Sequence, residues 1–249
     1  MKSKKIFIII LILAFATGVG YFYLQKKPII IQPKQTPTIN TQDIKIADNT
    51  PPFKINIVYP QITGLDAYNQ KAKSIVDNEI NNFKTNSLEN DKAVKDTDPT
   101  GYTEFPRIYD LEIGYDKGII NNSIVSTVFN IYSFEGGAHG SSASIALNYN
   151  TDKKSEIKLA DLFPNDKNYL QKISDYCIKD LIKQITTYGG AEMTDNSWIE
   201  EGAGPKEENY SVFLINPSTS SGQATITFYF QKYQVAAGAA GDFKVIYPR

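Results

Sequence analysis

Val125-Ser126-Thr127-Val128-Phe129-Asn130-Ile131 and, beyond a glycine-rich break, Ile145-Ala146-Leu147-Asn148-Tyr149 decide the fold class. In both runs a large apolar residue recurs at every second position, so Val125, Thr127, Phe129 and Ile131 share one face and Ile145, Leu147 and Tyr149 share another. This is the signature of strands with one covered face. Upstream, Thr103 to Tyr115 and Ile119 to Ser133 read as strands parted by Asp116-Lys117-Gly118, and Ser142 to Tyr149 and Ile157 to Leu159 follow with breaks at Gly136-Gly137 and Asn150-Thr151-Asp152. Such spacing predicts an antiparallel meander.

Outward from that meander the period changes. Leu65, Tyr68, Ala72, Ile75, Val76, Ile80 and Phe83 fall three and four apart after Gly64, an apolar stripe for a helix, with Asn86 to Gly101 expected as a loop. A second stripe, Leu170, Ile173, Cys177, Ile178, Leu181, Ile182 and Ile185, stops at Gly189-Gly190. Phe53, Ile55, Ile57 and Tyr59 supply an early strand, and Tyr210 to Ile215, Ala224 to Phe230 and Phe243 to Tyr247 the last ones. The expected fold is α+β, two helices packed on a mostly antiparallel sheet, with Ala191 to Asn209 an irregular acidic loop.

The N-terminus reads differently. Ile6 to Leu24 run nineteen residues without a charge, about 28 Å as a helix and close to the thickness of a hydrocarbon core. Lys2, Lys4 and Lys5 precede the run and Lys26 and Lys27 follow it. The expectation is a cytoplasmic stub at residues 1–5, a single transmembrane helix at 6–24 in the cytoplasmic membrane, and everything beyond it outside the cytoplasm. The alternative is a secretory signal cleaved after Ala14-Phe15-Ala16. Residues 25–52, rich in Pro, Gln, Thr and Asn, read as a spacer.

Composition narrows the chemistry. With 249 residues, 41% hydrophobic and 21% charged, the chain affords an ordinary core. Five of its 26 basic residues precede Pro28 and all 27 acids follow it, so residues 28–249 carry a net −6, which argues against a nucleic-acid partner. One cysteine forbids an internal disulfide, and one histidine disfavours the usual multi-imidazole metal sites; neither a metal nor a cofactor is expected.

Three places hold candidate site residues. His139, behind Gly136 and Gly137, is a lone imidazole beside backbone that can approach a ligand closely. As the base of a hydrolase it would need a nucleophile and an orienting acid, with Ser141, Ser142 and Glu135 near in sequence; as a structural residue it would hydrogen-bond the sheet edge while the glycines turn the chain between two strands. Trp198, the sole tryptophan, precedes Glu200 and Glu201; it suits a partner surface or a sugar ring, or burial under the loop, and the acids read equally as a solvated charge run. Cys177 lies on the second apolar stripe and reads as core.

Four ordered strings carry a family resemblance: Tyr59-Pro60-Gln61-Ile62, Phe134-Glu135-Gly136-Gly137-Ala138-His139-Gly140, Leu159-Ala160-Asp161-Leu162-Phe163, and Phe228-Tyr229-Phe230-Gln231-Lys232-Tyr233-Gln234-Val235-Ala236 with Gly241. Together they resemble the RsiV-like extracytoplasmic family, also found beside PdaC-type peptidoglycan deacetylases, over about residues 53 to 248. The resemblance implies a paired module, a PdaC-like part at 53–135 and an RsiV-like part at 136–248, sharing one sheet system. In that family the outer module binds lysozyme in anti-sigma factors and precedes a separate catalytic domain in the deacetylases. With only Met1 to Lys5 before the apolar run and nothing after Arg249, neither the sigma-binding segment nor the deacetylase barrel is expected here. The reading is therefore a membrane-anchored, non-catalytic envelope module that binds a wall glycan or a cationic protein such as lysozyme, with a wall hydrolase using His139 as the alternative.

Overall fold

The computed structural model describes residues 39–104, 107–190, 194–217 and 224–248. The expected stub, transmembrane segment and most of the spacer lie outside these residues. No helix among the described residues is long and apolar enough to cross a membrane.

The chain is α+β. A six-stranded sheet runs in order β1 (Thr41–Asp48), β2 (Phe53–Ile62), β3 (Tyr109–Ile120), β4 (Ile124–Phe134), β5 (Ser141–Asn150), β6 (Ser155–Glu156), and a three-stranded sheet holds β7 (Phe213–Ile215), β8 (Thr225–Phe230) and β9 (Phe243–Pro248). The helices are α1 (Asp66–Thr97), α2 (Pro99–Glu104), α3 (Tyr169–Gly189) and α4 (Asn196–Gly202). Among the described residues, four helices and two sheets thus replace the two helices and single sheet system expected.

Each large helix covers one sheet. Tyr68, Ala72, Val76 and Phe83 of α1 pack on Ile55, Ile57, Leu111, Phe129 and Leu147, all essentially buried. Ile173, Cys177, Leu181 and Ile185 of α3 pack on Phe213, Ile226, Phe228 and Val245. Cys177 is buried as expected of a core position, and burial pushes its thiol well above the ordinary range.

Several expectations need correction. β1 lies inside the stretch read as a spacer: Ile44 and Ile46 alternate with Asp43 and Lys45 and pair antiparallel with Tyr59 and Ile57. β2 and β3 are parallel, with Ile55 opposite Leu111, because α1 returns the chain to the same end of the sheet. The loop expected at Asn86 to Gly101 is mostly the second half of α1, where Asn86 and Asn90 donate to the side chain and backbone of Glu135 at 3.0 and 2.8 Å. Those tertiary bonds outweigh the weak helix propensity of asparagine. β3 starts at Tyr109 rather than Thr103 and runs through Asp116-Lys117-Gly118 across an irregularity in its register. The turn comes at Asn121, whose side chain accepts from the amides of Ser123 and Ile124. Leu159 opens a short 3-10 helix instead of ending a strand. The acidic stretch before Tyr210 holds α4 and a 3-10 turn at Glu207–Tyr210.

The two sheets meet on the far face of the larger one, opposite α1. Ser126 accepts from the Ile215 amide at 2.8 Å and donates to Asn148, which donates to the Phe213 carbonyl at 2.9 Å. Ser126 and Asn148 are buried, and this closed network satisfies both. Val128, Val212, Leu214 and Tyr229 fill the apolar space beside it. Across the same junction Asp116 receives Tyr229 and Lys244. The expected division at 135/136 falls in the hairpin between β4 and β5, which pair from Ile124 opposite Asn150 to Ser133 opposite Ser141.

Candidate functional site

Along the far face of β4 the side chains emerge gradually: Ser126 and Val128 are fully buried, Asn130 is half-buried, and Tyr132 is 41% exposed. This gradient marks where the smaller sheet stops covering the larger. Ser144, opposite Asn130, is bonded through its backbone amide to Gln231 Oε1 at 3.2 Å, so the loop after β8 forms the edge of the cover. Beyond that edge the uncovered face carries Tyr132, Ser142, Glu112 and the Lys54–Asp110 ion pair at 2.6 Å.

Tyr132 does not hang free. Its ring lies over Gly140, where a Cβ would overlap the ring atoms. A second exposed tyrosine repeats the arrangement. Tyr233, 56% exposed, lies over Gly238, whose missing Cβ would again fall within the ring. Tyr233 also has φ 70°, a left-handed conformation that is uncommon for a bulky side chain and marks local strain. Its carbonyl accepts from the indole nitrogen of Trp198 at 3.1 Å, and Lys232 Nζ stands 5.5 Å from its ring centroid.

Trp198 is placed by α4. Asp195 caps that helix, accepting from the amides of Ser197 and Trp198 at 2.9 and 3.3 Å. The Ser197 hydroxyl, followed by these amides, holds the Asp195 carboxyl below the usual range. Gln234 clamps the end of α4 by donating to the carbonyls of Gly202 and Asn209. The Gln231-Lys232-Tyr233-Gln234 string thus has a division of labour. Gln231 grips the large sheet, Gln234 grips α4, and between them Tyr233 is turned outward.

The other candidate residues fall in two groups. Glu200 and Glu201 are exposed on α4 beside Trp198. Gly136, Gly137 and His139 lie in the β4–β5 hairpin, where Gly136 and Gly137 adopt φ 100° and 107°. His139 is exposed, and its Nδ1 lies 3.1 Å from the Gly140 carbonyl. Glu135 is engaged by Asn86, and Glu79 has its carboxyl raised by burial and then by the charge of Glu135. Asn90, Thr97, Asp98 and Arg107 join the two glycines around a groove of about 440 Å³. Gly136 and Gly137 thus line a groove with α1, whereas Trp198, on the same helix as Glu200 and Glu201, bonds to the loop after β8.

Sequence reasoning missed Tyr132 and Tyr233. Tyr132 looks like one more strand residue, and only its pairing on an uncovered face distinguishes it. Tyr233 stands in a quoted string, but nothing in the string shows its backbone angle. A third feature, a cleft of about 360 Å³ between the sheets, is lined by Glu156, Lys158, Glu207, Glu208 and Tyr210. Glu207 accepts from Tyr169 there, and Glu156 pairs with Lys71. No group of three or more histidine, cysteine or acidic side chains among the described residues is arranged to hold a metal ion.

Residues 46–142 match the family model described as Deacetylase PdaC, and residues 160–249 match the one described as Protein of unknown function (DUF3298). The chain thus joins a PdaC-like region to a DUF3298-like one. The Phe134–Gly140 string lies in the first matched region and the Phe228–Ala236 string in the second. Among curated relatives, this chain is 26% identical over 245 residues to the peptidoglycan-N-acetylmuramic acid deacetylase PdaC of Bacillus subtilis, covering 97% of this chain and 48% of the relative. The chain therefore spans about half the length of the curated relative it matches. A crystal structure of a DUF3298-family protein from Bacteroides fragilis shares the fold, with a TM-score of 0.53, 19% identity, and coverage of 86% of this chain and 91% of that one.

Proposed function

We propose that this protein is a non-catalytic module of the cell envelope that binds a wall polymer, tethered to the membrane through residues 6–24. The observation that carries the reading is Tyr233. A half-exposed aromatic ring, held over a glycine on a strained backbone and fixed through its carbonyl to Trp198, costs the fold stability and gives its core nothing. Such a ring is suited to stack on the C–H face of a pyranose, as aromatic surfaces do with flat apolar partners. The Bacillus relative is named for an activity on peptidoglycan, which makes the glycan of the wall the natural polymer.

A second reading, binding of a cationic protein such as lysozyme, is favoured by the inter-sheet cleft with Glu156, Glu207 and Glu208, and by the −6 balance of residues 28–249. The hydrolase alternative rests on His139, whose ring bonds to a neighbouring carbonyl rather than to a carboxylate.

Full-length protein in detergent, sedimented with purified peptidoglycan and separately captured on immobilised lysozyme at low and moderate salt, tests these readings. Retention by peptidoglycan at both salts is expected. Retention on lysozyme alone favours the second reading, and retention on neither overturns both. Turnover of wall fragments that disappears in His139→Ala would replace binding with hydrolysis.

A further inference from the structure

We infer that the bound polymer is a glycan strand lying across the step between the two sheets, with Tyr233 and Tyr132 as two separate stacking platforms for the same chain. This rests on the wall-polymer reading above and adds a second contact and a direction to it.

The two rings are built alike and are linked through one hydrogen-bonded path. Each is exposed on one side and backed on the other by a glycine that a side chain would displace, Gly238 for Tyr233 and Gly140 for Tyr132. Neither ring closes a core, so the close glycine approach fixes the orientation of an outward face. Their connection is rigid. Tyr132 pairs with Ser142, Ser144 follows two residues, about 7 Å, along β5, and Ser144 is bonded to Gln231, two residues before Tyr233. Three ordered elements, β4, β5 and the loop after β8, therefore hold the rings at a set separation.

The surroundings suit sugar hydroxyls better than a lipid or an apolar peptide. On the strands flanking Tyr132 stand the exposed Ser142, Glu112 and Lys54, the last paired with the half-buried Asp110, which set donors and acceptors near an aromatic face. Beside Tyr233 stands Lys232, and the exposed Glu200 and Glu201 follow Trp198, whose indole bonds to the Tyr233 carbonyl. Rings bordered by mixed polar groups fit a ligand whose own surface alternates apolar ring faces with hydroxyl edges. Two platforms on one rigid frame make the second contact intramolecular, so affinity should rise with chain length.

The test is saccharide binding by the full-length protein in detergent, read from the emission of Trp198, the sole tryptophan, which is bonded to Tyr233. The probes are peptide-free N-acetylglucosamine–N-acetylmuramic acid disaccharide and a long oligosaccharide of the same repeat. The expected result is tighter binding of the long chain. Tyr132→Ala should cost the long chain about tenfold and leave the disaccharide unchanged. Tyr233→Ala should weaken both. Gly140→Ala keeps the tyrosine but displaces its ring, and should act like Tyr132→Ala. If Tyr132→Ala and Gly140→Ala leave long-chain affinity intact while Tyr233→Ala abolishes binding, the second platform is wrong and the wall-polymer reading stands. If the wild-type protein binds neither saccharide, the glycan strand is overturned, and retention on whole peptidoglycan then decides whether the broader reading survives.

Discussion

Tyr229 donates its phenolic hydrogen to Asp116 Oδ2 at 2.7 Å, joining β8 of the small sheet to β3 of the large one. Lys244 donates to the same oxygen at 2.8 Å and lies 4.4 Å from the Tyr229 ring centroid, so one carboxylate gathers both strands of the junction. Burial works against the ionised form of Asp116, but the bonds from Lys244 and Tyr229 outweigh it and hold the carboxyl below its ordinary value. A depressed folded value means that the contribution to stability is present above the unfolded value of about 4 and is lost as the pH falls below it. Asp116→Asn should therefore lower stability near neutrality by about 1 kcal/mol and flatten the acid side of the curve. Urea midpoints measured across the acid range check both, and an unchanged acid slope in the variant would refute the assignment.

Tyr233 makes the opposite kind of prediction. Replacing it with glycine relieves the left-handed strain, a gain offset by the greater entropy of the unfolded chain, so stability should stay within about 1 kcal/mol of wild type. Peptidoglycan retention should nonetheless fall sharply. Thermal melts and sedimentation on the same samples separate the two effects, and a large loss of stability would show that the ring serves the fold.

Tyr68 tests the core beneath the large sheet. It shares a hydrogen bond of 2.8 Å with Thr127, and burial, partly opposed by that bond, pushes its phenol up to about 12. Tyr109 rises to about 12 as well, through burial and its bond to Asp91. A raised folded value means that stability is intact below the ordinary tyrosine value of about 10 and fades as the pH climbs through about 12. Tyr68→Phe should cost about 1 kcal/mol near neutrality and reduce the alkaline loss, as seen in melts at rising pH.

Asp195→Ala removes the cap of α4 and should lower the melting temperature slightly. The larger effect should be optical, because Trp198 lies in the first turn of that helix. A red shift of its emission, with the far-ultraviolet spectrum retained, is the expected signature.

Much of the fold is legible wherever burial imposes a period. Val125, Phe129 and Ile131, and likewise Ile173, Cys177 and Leu181, alternate or recur because one face is covered, and all of them are core. The second half of α1 is not legible in this way. After Phe83 its side chains include an exposed Leu88 and the asparagines that reach Glu135, and a helix held by distant polar bonds leaves no local stripe. The parallel pairing of β2 and β3 is likewise set by a crossover and not by either strand. At the candidate site Trp198 could be singled out by rarity and His139 by its glycines. Tyr132 and Tyr233 could not, since their distinction lies in which face is uncovered and which backbone angle is strained.

Strand β5, Ser141–Asn150, begins inside the first matched region and ends before the second, yet it is annealed to β4 over ten residue pairs. Severing the chain where the first region ends would strip β4 of its neighbour and leave a raw, sticky edge. The two regions therefore share a rib, and the smallest piece worth expressing is the pair, which should melt in a single step.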